Sequence, residues 1–199
     1  MKDKKITRKV SQGVYVLTTN DGGCVVDAVS QISAGDNPLF CVAVMKSNYT
    51  NELMHQNDRF AISILGLKVN PDIINTYGMH SMRDYDKFAN SKTIQIYGLN
   101  VIEDSLGYMI FEKTDTIEND THTLFIGKLI EADKFSDEEP MTYAYYQEHK
   151  DELIKVTTEK GKTAWVCTIC NYVVYMDELP EDFVCPKCGV PKSMFKKGE

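Results

Sequence analysis

The chain reads as mainly β, a barrel of about 150 residues followed by a small metal domain built on cysteines. Two observations carry that reading. Seven apolar runs of strand length recur between turn signals, with only two helical stretches among them. Two Cys-x-x-Cys pairs, Cys167/Cys170 and Cys185/Cys188, then stand fourteen residues apart in the last thirty-five residues.

Taken in order, residues 14–20 make the first strand, Asp21-Gly22-Gly23 the turn, and 24–33 the second strand of a hairpin. Residues 38–45 form a nearly continuous apolar run and a third strand. Runs at 59–65, 92–97, 106–114 and 122–132 supply four more. Helices are expected at 49–56 and at 71–77, the second with Pro71 in its first turn, where a missing N–H costs nothing. A stretch rich in Lys and Glu, 147–162, reads as a solvated tether, and Leu153, Ile154 and Val156 imply that part of it docks. The expected domains are 1–150, a linker at 151–163, and 164–199.

Composition narrows the class. At 43% hydrophobic residues the chain can fill a core, and a net charge of −7 without a basic stripe argues against nucleic-acid binding. No apolar run approaches the roughly 20 residues a membrane span needs, and no signal peptide follows the lysine-rich start, so a cytoplasmic location is expected. Cysteines kept reduced for metal fit that compartment. Cys24 and Cys41 lie in apolar runs and read as small core residues. No paired carboxylates, activated serine or cysteine–histidine dyad points to hydrolysis, and no Gly-rich dinucleotide fingerprint is present.

Four thiolates on two tight turns make a tetrahedral sulfur cage that suits zinc or iron, and the spacing alone leaves both open. Asn171 and Gly189 each follow the second cysteine of a pair, where a positive φ is best tolerated by those two residue types. Such a turn can aim N–H groups at sulfur and raise the potential of bound iron. Trp165, Tyr172 and Phe195 can wrap the cage in aromatic surface.

Three segments of the barrel carry chemistry. Val29-Ser30-Gln31-Ile32-Ser33, at a strand end, offers small hydroxyls and an amide to the edge of a polar ring. Lys46-Ser47-Asn48-Tyr49-Thr50 precedes a helix; Ser47 or Asn48 can cap it, and the helix start suits a phosphate. Met79 to Phe88 contains Arg83 and Lys87 four apart, a phosphate grip or, with Asp84 and Asp86, a salt-bridged turn. His55, His80 and His149 read as surface residues.

The tail resembles a rubredoxin in the short form found at the end of rubrerythrins, through Trp165-Val-Cys, Cys185-Pro-x-Cys-Gly, Pro191-Lys192 and Phe195. That resemblance implies one iron on four cysteines. The three barrel segments occur in one register with Thr121-His122-Thr123-Leu124-Phe125-Ile126-Gly127 and Met141-Thr142-Tyr143-Ala144-Tyr145-Tyr146, and together they resemble the flavin reductase family with its FMN-binding split barrel. The whole chain is similar to the high-molecular-weight rubredoxins, NAD(P)H:rubredoxin oxidoreductases of anaerobes.

The resemblance places Ala28, Val29, Ser30 and Gln31 along the flavin, and Ser47, Asn48 and Thr50 at its phosphate with Ser81, Arg83 and Lys87. His122 would approach the flavin or its ribityl chain, and Tyr143 or Tyr146 would close the site. The role of Asp27 stays open. It implies FMN, NAD(P)H as donor, a homodimer with flavin at the subunit boundary, and a flavodiiron protein or other redox protein as acceptor. The pairing is chemically coherent, since a nicotinamide gives two electrons as hydride, one iron takes one, and a flavin converts between them. A non-catalytic FMN and iron carrier reduced by another enzyme stays open, as does a zinc-stapled regulator.

Overall fold

A tight hairpin starts the larger unit: β1 (Tyr15–Thr18) pairs antiparallel with β2 (Gly23–Val26), and Thr19 N–H donates to Gly22 O at 2.7 Å across the turn. The computed structural model describes residues 6, 9–153, 163–169, 172–186 and 188–197, and the chain divides into the units Met1–Leu153 and Ile154–Glu199. After the hairpin come β3 (Val29–Gln31), β4 (Leu39–Met45), α1 (Tyr49–Gln56), β5 (Arg59–Ile64), α2 (Pro71–Met79), β6 (Thr93–Ile96), β7 (Leu99–Ile102), β8 (Gly107–Glu118), β9 (His122–Lys134) and α3 (Tyr143–Leu153). Seven strands form one sheet in the order β2-β1-β5-β8-β9-β4-β3, while β6 and β7 pair separately.

The chain path forces this sheet to curl. Only Asp27 and Ala28 join β2 to β3, which are its two edges. Seven strands laid flat would hold those edges about 29 Å apart. Three Cα steps span at most about 11 Å. The sheet therefore wraps until β2 lies against β4, with no ladder between those two strands. That is a split barrel. Its interior is apolar: Leu17, Val42, Val44, Ile62 and Phe125 are each at most 1% exposed, and Phe60 stacks on Phe111 at 5.0 Å.

Several expectations need correction here. The strand expected over 24–33 breaks at Asp27 and Ala28, because the chain changes sheet edge there. β7 was not expected. Tyr97 and Gly98, with φ of 53° and 80°, turn the chain back on itself, and the polar Asn100 sits buried within the strand, accepting from Thr93 Oγ1 and Gln95 Nε2. α3 occupies 147–153, the first part of the stretch read as a tether, and buries Tyr146 and Leu153. Ile154 and Val156 lie outside the described residues. Cys24 is a core residue, whereas Cys41 is half-buried on the outer face of β4.

In the smaller unit, β10 (Ala164–Cys167) runs between β11 (Val173–Tyr175) and β12 (Phe195–Lys197). Ala164, Val166 and Leu179 form its buried apolar contribution. Among the described residues no helix is long and apolar enough to cross a membrane.

Candidate functional sites

In the smaller unit the cysteines converge. The Sγ atoms of Cys167, Cys185 and Cys188 all lie within 4.8 Å of one another, and Cys167 and Cys188 are 3.7 Å apart. A tetrahedral ion about 2.3 Å from each sulfur sets the sulfurs about 3.8 Å apart, so the geometry fits a tetrathiolate metal. Cys170, the expected fourth ligand, and Asn171 lie outside the described residues.

Local chain chemistry builds the cage. Cys167 closes β10, with its N–H on Tyr172 O at 2.9 Å. Gly189 has φ 71° and donates to Cys185 O at 2.8 Å, the left-handed turn expected after the second cysteine of a pair. Cys185 N–H donates to Val190 O at 2.8 Å. Cys167 and Cys185 are at most 1% exposed, and buried thiolates need a cation to offset their desolvation. The half-buried Trp165 is pinned by its indole N–H on Met176 O at 3.0 Å, and Phe195 meets Phe183 edge-on at 5.3 Å.

In the larger unit, the first segment pairs along β4, the second follows the end of that strand, and the third reaches the second through Arg83. Val29, Ser30 and Gln31 pair with Val42, Cys41 and Phe40, and Ala28 O accepts from Ala43 N at 3.0 Å. Ser30 and Gln31 are exposed, Gln31 Nε2 donating to Ser33 O at 2.8 Å. Four residues beyond β4, α1 begins. Asn48 is its N-cap, and its Oδ1 accepts from Thr50 N at 3.1 Å; Ser47 is exposed and Thr50 buried. His122 faces Met45 across the β4–β9 ladder and hydrogen-bonds Thr121 Oγ1 through Nδ1 at 2.8 Å.

Arg83 arrives from the segment after α2. It pairs with Glu52 of α1 and stacks over the Tyr49 ring at 4.3 Å, while its N–H donates to Ser81 Oγ at 3.2 Å. The Arg83 guanidinium thus lies beside the first turn of α1, and Ser81 is tied to the Arg83 backbone. Lys87 does not join them. It is 1% exposed, and its ammonium donates to Gly23 O at 2.7 Å and Tyr77 O at 3.2 Å. Four-residue spacing implies a shared helical face, but no helix spans 83–87, so the two cations diverge. Tyr143 and Tyr146 stand on α3, rings 6.0 Å apart, with Tyr143 N–H tied to Gln12 O at 2.7 Å.

Four residues of this neighbourhood have surroundings that the sequence does not signal. Asp27 sits half-buried at the β2–β3 crossing; burial pushes its carboxyl up, while its own N–H, that of Ala28 and the charge of His122 pull it back. Tyr49 and Glu52, the partners of Arg83, are more than thirty positions from it, and no local signal links them. His80 stacks on Tyr85 at 4.1 Å, and burial followed by the charge of Lys87 pulls its pKa down.

The chain matches the flavin reductase like domain over residues 7–153 and the rubrerythrin, rubredoxin-like domain over 165–196. It is 34% identical to the high molecular weight rubredoxin of Moorella thermoacetica, over 98% of this chain and 99% of that protein. It is 26% identical to a ferric-chelate reductase (NAD(P)H) of Archaeoglobus fulgidus, over 81% and 93%. The larger unit shares its fold with the NADH:FAD oxidoreductase SgcE6 of Streptomyces globisporus, at a TM-score of 0.64 and 19% identity over 70% of this chain and 85% of that one. The chain belongs to the flavin reductase family in the form that ends in a rubredoxin-like domain, an oxidoreductase with a flavin site in its larger unit and a cysteine-held iron site in its smaller one.

Proposed function

We propose that the chain is an NAD(P)H:rubredoxin-type oxidoreductase of the cytoplasm, passing electrons from NADH or NADPH through FMN to its own iron and on to a redox protein such as a flavodiiron protein. One observation carries this: a flavin reductase barrel and a cysteine cage with sulfurs at tetrathiolate spacing lie in one polypeptide. The bound flavin supplies the conversion of one hydride into two single electrons.

The chain's residues bind and orient. The edge formed by Ala28, Val29, Ser30 and Gln31 lies along the flavin ring. The α1 N-terminus, through Ser47, Asn48 and Thr50, faces its phosphate together with Ser81 and the guanidinium of Arg83. His122 stands near the ring, and Tyr143 or Tyr146 shields it from the C-terminal side. Cys170 completes the iron site with Cys167, Cys185 and Cys188.

A homodimer fits the outer face of the sheet. Along β4 and β9, Val42, Val44, Thr123 and Phe125 point into the core, so Cys41, Ala43, Leu124 and Ile126 share the opposite face. Ile117, opposite Leu124 and 45% exposed, extends that apolar strip beside His122 and Ser30. A second copy covering it would leave the flavin at the boundary.

Anaerobic addition of NADH to protein carrying both cofactors tests the route. Bleaching of the ferric tetrathiolate absorbance along with that of the flavin is expected. Iron that stays oxidised while the flavin bleaches, or Zn in place of Fe in natively produced protein, would refute it.

A further inference from the structure

The inward ammonium of Lys87 is the feature of the larger unit that the proposed chemistry leaves unused. We infer that Lys87 is a positioning residue: it straps the 81–87 segment to the β1–β2 hairpin and to the end of α2, and so sets where Arg83 stands at the start of α1.

Burying an ammonium is costly unless its donors are satisfied. Lys87 Nζ donates to Gly23 O at 2.7 Å, the first residue of β2, and to Tyr77 O at 3.2 Å in the last turn of α2. It also lies 5.7 Å from the Tyr77 ring centroid. A residue at 1% exposure has no surface to offer a phosphate.

The segment around it is tied along its length. Lys87 N–H meets Met82 Sδ at 3.3 Å, and Lys87 O accepts from Ser91 Oγ, which bonds the Tyr77 hydroxyl at 2.8 Å. Asp86 Oδ1 accepts from Phe88 N and Ala89 N, both at 3.0 Å. Met82 packs so closely on the hairpin that a Cβ on Gly22 would fall 2.7 Å from its Cγ and 2.8 Å from Leu53 Cδ1 of α1. Arg83 therefore leaves a segment clamped on both sides before it reaches Tyr49 and Glu52. Four residues of chain convert the Lys87 anchor into a fixed origin for the guanidinium.

This inference rests on the reading that Arg83 faces the FMN phosphate. The test compares FMN with riboflavin, which lacks the phosphate, by fluorescence quenching with the full chain as wild type, Arg83→Gln, Lys87→Met, Lys87→Gln and the double variant Arg83→Gln/Lys87→Met. The measured quantity is the preference for FMN over riboflavin, which a general loss of stability lowers for neither ligand selectively. Arg83→Gln should cut that preference about tenfold, the size of one charge-assisted contact. Lys87→Met should cut it by a similar factor. The double variant should be no worse than either single within about twofold, because both remove one contact. Lys87→Gln, an uncharged donor that can still reach a carbonyl, should recover part of the preference.

Multiplicative losses in the double variant would overturn the inference and make Lys87 a second phosphate ligand. A Lys87→Met chain with unchanged preference would overturn it as well. Should Lys87→Met fail to fold, Lys87→Gln decides: a loss as large as that of Arg83→Gln, with no recovery, overturns the positioning role. If Arg83→Gln leaves the preference intact, the phosphate reading of Arg83 falls first and takes this one with it.

Discussion

Replacing Gly127 by alanine probes how tightly the barrel closes on its core. Gly127 stands on β9 opposite Phe40 of β4 and Lys113 of β8, on the inward face that Phe125 also occupies. A Cβ there falls 2.7 Å from Phe60 Cζ, 2.8 Å from Phe60 Cε1 and 2.9 Å from Phe111 Cβ. Carbon atoms rest at about 3.5–4.0 Å, so the rings would have to retreat by about 1 Å. They have little room: Phe60 and Phe111 are 2% and 0% exposed and stacked, and Phe40 leans on Phe111 at 5.2 Å. Overpacking of that kind costs about 1–3 kcal/mol. Against it, alanine restricts the unfolded chain and contributes about 0.4–1 kcal/mol. The net is a destabilisation of about 0–2.6 kcal/mol, opposite in sign to what a glycine in a regular strand implies. Urea unfolding of flavin-free protein, so that ligand linkage does not intrude, should give a lower midpoint with an unchanged m-value. A Gly127→Ala chain more stable than wild type would refute the packing described for this core.

Three further outcomes are expected. Asn48→Ala removes the acceptor of Thr50 N–H and should destabilise the larger unit by about 1 kcal/mol; it should weaken FMN more than riboflavin, and equal weakening of both would separate Asn48 from the phosphate. Cys185→Ser should leave less than half the iron per chain in elemental analysis while flavin binding stays within about twofold of wild type, since Cys185 belongs to the other unit; full iron occupancy would remove it from the ligand set. Asp27 has a folded-state pKa raised by burial, so its contribution is fully present below the ordinary carboxylate value of 3.8 and is lost as pH rises through the raised one. Asp27→Asn should therefore gain on wild type as pH rises across that window, read as the difference in thermal midpoint at each pH, and a constant difference would contradict the assignment.

Much of the site is legible locally. Ser47 and Asn48 are both recognisable as candidate caps because polar side chains precede a helical run, and the structure chooses Asn48. Gly189 is legible because a knuckle must turn through positive φ after its second cysteine, and it does, at 71°. α1 is read to the residue for the same reason: cap, periodic apolar face and stop all lie within ten positions. Strand 24–33 is misread because its composition is uniform while its partners are not: residues 23–26 pair with β1 and residues 29–31 with β4. β7 escapes because Asn100 breaks its apolar run, and only Thr93 and Gln95 on the neighbouring strand make a buried amide there tolerable.

The convergence of Cys167, Cys185 and Cys188 and the mainly β character were written in the chain itself, because tight turns and cysteine spacing are properties of short segments. A barrel was expected from the strand pattern, but its closure through Asp27 and Ala28 was not, since that depends on which strands become the edges of the sheet. Nor was the parting of Arg83 from Lys87. Two cations four positions apart look equivalent in the sequence, yet one reaches α1 and the other points inward to a carbonyl sixty-four positions away. Burial decides between them. An ammonium that enters the core must find acceptors there, and only the folded chain brings Gly23 and Tyr77 within its reach.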